Sequence, residues 1–75
     1  MFRFLSRDHA LNTADSLRAT AEQEQARAER DTRAGDVFGA YIAAGNARVA
    51  RALSRQADDA AELLRPRPRS RARRG

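Results

Sequence analysis

The sequence predicts an all-α protein: an antiparallel two-helix hairpin that dimerises into a bundle, followed by a disordered Arg-rich tail. Three observations predict it. Residues 6–33 contain neither Pro nor Gly and are dominated by Ala, Glu, Gln, Arg and Leu, all good helix formers. Gly35-Asp36 then punctuates the chain, and a second apolar period at helical spacing follows it. From Arg65 onward the run RPRPRSRARRG carries six Arg, two Pro and no acid. No stretch alternates apolar with polar residues as a half-buried strand would.

The first helix is expected over residues 6–33. Ser6 suits the N-cap, where a hydroxyl accepts from a free backbone N–H. Asp8 suits the first turn, where the helix dipole favours an anion. Ala10, Ala14, Leu17, Ala21 and Ala28 form one stripe, flanked by Leu11, and Ala14, Ala21, Ala28 and Gly35 recur at sevens. That is a seam of small residues that lets a partner helix approach closely. Position 24, where the next core residue would fall, is Glu. Residues 22–33 are therefore expected to project into solvent or fray, supported by a Glu29–Arg33 pair and a weaker Arg27–Asp31 pair.

The second helix is expected over residues 37–64, capped by Asp36 and stopped before Pro66. At 100° per residue, Phe38, Ile42, Val49, Leu53, Ala57, Ala60 and Leu64 fall on one side. Gly39, Ala43 and Ala47, at spacing four, offer a second place for close backbone packing. A lone hairpin would leave part of its apolar surface bare, and a four-helix bundle of two copies would cover it. The residues expected to serve self-association are Leu17, Phe38, Ile42, Val49, Leu53 and Leu64.

Size supports assembly. The chain has 75 residues, and seventeen of its apolar side chains are Ala, leaving fourteen larger ones. Below roughly 70–80 residues a single core rarely supplies more than about 3–5 kcal/mol without a disulfide, a metal or oligomerisation. There is no Cys, which removes disulfides and Cys-ligated zinc and is compatible with a reducing cytoplasm. The longest uncharged run, Val37–Ala47, has eleven residues, and a spanning helix needs about 20. A cytoplasmic setting is the expectation.

The net charge of +5 is unevenly placed. Residues 1–64 hold nine Arg and ten acids, so the body is nearly neutral; residues 65–75 hold all the imbalance. Arg presents a fixed charge on a planar fork suited to phosphate. A flexible arm bearing Arg65, Arg67, Arg69, Arg71, Arg73 and Arg74 is thus a candidate for sequence-independent binding of nucleic acid. A secondary basic face is Arg48, Arg51 and Arg55 with Tyr41 beside it, where a base or ribose would stack on the ring. Asp58, Asp59 and Glu62 lie further along that side, placed to pair with Arg55 or repel phosphate.

No catalytic constellation, metal site or cofactor is expected. His9 is the single His, and Glu22 and Glu24, two apart, do not share a helix face. The expected function is therefore a non-enzymatic helical-hairpin homodimer whose Arg-rich arm binds nucleic-acid phosphate. The alternative is a protein–protein adaptor acting through the hairpin surface or the aromatic start Met1-Phe2-Arg3-Phe4-Leu5. Contact with an anionic membrane surface is a lesser option.

Overall fold

The computed structural model describes residues 4–66. Two helices, α1 (Arg7–Arg33) and α2 (Val37–Leu63), pack side by side as the expected antiparallel hairpin. At about 1.5 Å per residue each rod is roughly 40 Å long.

The chain ends and turns are built by short polar contacts. Ser6, in extended conformation, caps α1 by accepting from the His9 N–H at 3.1 Å. At the turn, the Gly35 N–H donates to the Thr32 carbonyl and the Asp36 N–H to the Asp31 carbonyl. These two bonds satisfy carbonyls that the end of α1 would otherwise leave open. Gly35 sits at φ 82°, a left-handed geometry that costs an L side chain roughly 1–2 kcal/mol. Asp36 closes both helices: its backbone ends α1, while its carboxylate accepts from the Gly39 N–H at 2.9 Å to start α2. Gly39 leaves room for that arrangement, since a Cβ there would lie 2.6 Å from Asp36 Oδ2 and 2.7 Å from Asp31 Oδ2.

The core is a seam of alanines. From α1 it takes Ala10, Ala14, Ala21 and Ala28; from α2 it takes Ala43, Ala47, Ala50, Ala57 and Ala61, with Ser54 among them. The α1 set steps by four, seven and seven and the α2 set by alternate fours and threes, the spacing of an antiparallel coiled coil. Leu17 fills the α1 row half-buried. Among the described residues no side chain larger than these is fully buried. The Ser54 hydroxyl donates back to the Arg51 carbonyl at 2.8 Å, so its presence in the seam leaves no open polar group.

The large apolar row of α2, expected to serve self-association, does not face α1: Phe38 is 75% exposed, Val49 59%, Leu64 43% and Ile42 40%. Only Leu53 of that set is half-buried. The packed face is rotated by about 110° from it at 100° per residue. The reason is shape, because the alanines of α1 present a shallow surface that only another small-residue face can match at close range. One expectation is corrected: the second half of α1 neither projects nor frays. Ala28 is buried in the seam, and Glu24 turns sideways to accept from Asn46 of α2 at 3.1 Å. Glu29 receives Gln25 at 3.5 Å rather than pairing with Arg33, while the Arg27–Asp31 pair forms at 3.7 Å.

Overpacking tests the seam. Ala47 has no exposed surface, so Ala47→Leu should destabilise the protein by about 1–3 kcal/mol, or more if the rods cannot separate. Exposed Ala19→Leu should change stability by less than about 0.5 kcal/mol. Urea unfolding followed by circular dichroism, at one protein concentration, reads both.

Candidate nucleic-acid interface

α2 carries three faces. One is the alanine seam, one is the outer apolar row, and the third holds the cations. Tyr41, Arg48, Arg51 and Arg55 all lie exposed on α2. The three Arg span seven residues, about 10 Å along the axis, and fall within about 60° of one another. Tyr41 stands about 10 Å further toward the turn, between the cationic face and the outer apolar row.

Among the described residues, Arg48 and Arg55 make no side-chain hydrogen bond or ion pair. Arg51 reaches across the helices to Gln25 Oε1 at 3.4 Å. The acids further along are occupied differently from the expectation. Asp58 takes Arg18 of α1, whose Nη1 donates to it at 2.9 Å, and leaves Arg55 free of it. Asp15 holds the other terminal nitrogen of Arg18. The hydrogen bond that Arg18 donates to Asp15, then the charge of Asp58, raise the Arg18 guanidinium above its ordinary value. Glu62 pairs with Arg65 at 3.2 Å.

These groups frame a shallow groove between the helices, floored by Ala21 and Ser54 and edged by Arg18, Glu22, Arg51, Arg55 and Asp58. Three guanidinium groups meet two carboxylates there. Arg18 was not among the expected site residues. Its membership depends on the register of α1 against α2, which spacing within one helix does not encode.

Of the arm, Arg65 is described: it is exposed, and its backbone N–H donates to the Glu62 carbonyl just past the end of α2. Arg67, Arg69, Arg71, Arg73 and Arg74 lie outside the described residues. So do Met1, Phe2 and Arg3 of the aromatic start. Phe4, half-buried, meets the His9 ring edge-on at 5.6 Å between centroids, and His9 Nδ1 accepts from the Leu5 N–H at 3.3 Å. His9 is thus engaged locally at the helix start. Among the described residues no group of His and acids could hold a metal ion, and no helix is long and apolar enough to cross a membrane.

Comparison with protein families, with curated proteins and with solved structures finds no match to this chain.

The Arg18–Asp58 link is half-exposed on both sides, so a double-mutant cycle on Arg18→Ala and Asp58→Ala should return a coupling below about 1 kcal/mol. The coupling should shrink as salt is added. A larger, salt-insensitive coupling would show that the pair is sequestered from water.

Proposed function

We propose that the protein is a non-enzymatic, cytoplasmic nucleic-acid-binding hairpin. Its Arg-rich arm holds phosphates, and its helical body brings two copies together. The observation that carries this reading is the segregation of charge: six Arg and no acid in residues 65–75, against a body with nine Arg and ten acids. Such an arm neutralises phosphates and releases counterions without reading base edges. Arg65, at the end of α2, starts the arm at the end of the rod away from the turn. The unpaired Arg48 and Arg55, with Tyr41, offer a secondary contact along the rod for a strand led in by the arm. Self-association would place two arms on one particle, raising avidity with no new contact.

A second reading has one specific observation behind it. The exposed Phe38, Tyr41 and Val49 would equally suit an adaptor that captures another protein. The two differ in salt dependence. An arm engaging its six Arg on duplex DNA should give a slope of log affinity against log salt approaching about −5. Removal of residues 65–75 should abolish most of that binding and leave the helical circular dichroism unchanged. Undiminished binding by the truncated chain, or a flat salt titration, would reject the nucleic-acid reading in favour of the adaptor.

A further inference from the structure

The structure leaves two features of α2 unexplained by the hairpin, and together they define one surface. The first is the outer apolar row of Phe38, Ile42, Val49 and Leu53, which runs over four turns with no charged residue on it. The second is Gly45, in the middle of that row. Glycine weakens a helix interior relative to alanine, yet a Cβ at Gly45 would meet nothing within 4 Å. Nothing among the described residues requires glycine there, in contrast to Gly35 and Gly39.

The row is also symmetric about this point. Starting from the Gly45-Asn46 bond, the apolar residues stand at equal steps in both directions, Ile42 against Val49 and Phe38 against Leu53. A two-fold contact between identical helices running in opposite directions requires this of its sequence, because each residue must find its counterpart on the same patch of the other copy. A missing side chain at the centre lets the two backbones approach closely where they cross.

The geometry points to a second copy of this chain as the occupant of this face. The two α2 helices cross antiparallel at the Gly45-Asn46 bond, placing Phe38 over Leu53 of the other copy and Ile42 over Val49. This rests on the self-association reading above and adds its face, its direction and its register. The apolar balance agrees: the hairpin core holds only small side chains, while the larger ones of this row lie largely outside it. Leu17, half-buried in the α1 row of the seam, and Leu64, at the end of the rod, take no part in the crossing. The arrangement sends the two basic arms off opposite ends of the particle, about 55 Å apart at 1.5 Å per residue.

The full chain contains no Cys, which makes directed cross-linking clean. Phe38→Cys and Leu53→Cys variants, mixed and oxidised, should form a disulfide between the two different chains. Neither variant alone should link to itself, since like positions lie about 22 Å apart in the antiparallel crossing and a disulfide needs Cα atoms within about 7 Å. Self-linking of each single variant would overturn the proposed direction while leaving self-association standing. In sedimentation without nucleic acid, Gly45→Leu should raise the dimer dissociation constant by about tenfold or more. Its helical circular dichroism should hold or rise, because the hairpin has open space at that position. Unchanged association of Gly45→Leu would remove the crossing point. A wild-type chain that sediments as a monomer with its helices intact would overturn this inference together with the self-association reading; phosphate binding by the arm is read separately by the salt titration.

Discussion

Contact between two rows of alanine governs this structure. Because the side chains at the seam end at Cβ, the helix axes are drawn to the short end of the roughly 8–10 Å range that packed helices adopt. At that distance there is no room for Phe, Ile or Val between the rods, so the larger apolar residues of α2 are turned outward. The usual distribution, with bulky groups inside and small or polar groups outside, is inverted along much of α2. The hairpin consequently buries modest area per residue, and its exposed row is the main reserve of apolar surface for further assembly.

The polar contacts follow from the same close approach. With little side-chain bulk in the seam, residues at its margins reach the opposite helix directly: Asn46 to Glu24, Arg51 to Gln25 and Arg18 to Asp58. These contacts sit on both sides of the seam and suit one register. Each is exposed and weak alone. Their role is to discriminate against a slipped pairing that alanine rows, being nearly featureless, would tolerate. They also draw acids away from the cationic face of α2, and Arg55 keeps its charge available because Asp58 is engaged by α1.

Much of this was legible in the residues. The hairpin itself follows from helix-forming composition interrupted by Gly35-Asp36, and the caps at Ser6 and Asp36 follow from their oxygens. The α1 seam was readable because Ala10, Ala14, Ala21 and Ala28 are the one apolar stripe that helix offers. The α2 seam was legible only in part, at Ala43 and Ala47, because α2 offers two stripes. Ranked by hydrophobicity, Phe38, Ile42, Val49 and Leu53 win; ranked by fit to α1, Ala43, Ala47, Ala50 and Ala57 win. The expected fraying of residues 22–33 failed for a related reason. Glu24 breaks the apolar period, but its long side chain leaves the seam edgewise and finds Asn46. The candidate site was legible as charge, since the Arg positions are simply there, but its pairing pattern required knowing which α1 residue lies opposite Asp58.

The sequence by itself determined the two helices, the turn between them and the concentration of positive charge after Leu64, because each depends on local propensity, capping chemistry or composition. Only the tertiary structure decided which face of α2 is buried, that Arg18 belongs with Asp58, and that Gly45 stands in open space. Those depend on the distance and register between two rods, and shape complementarity at close range, rather than hydrophobicity summed along either helix, sets both.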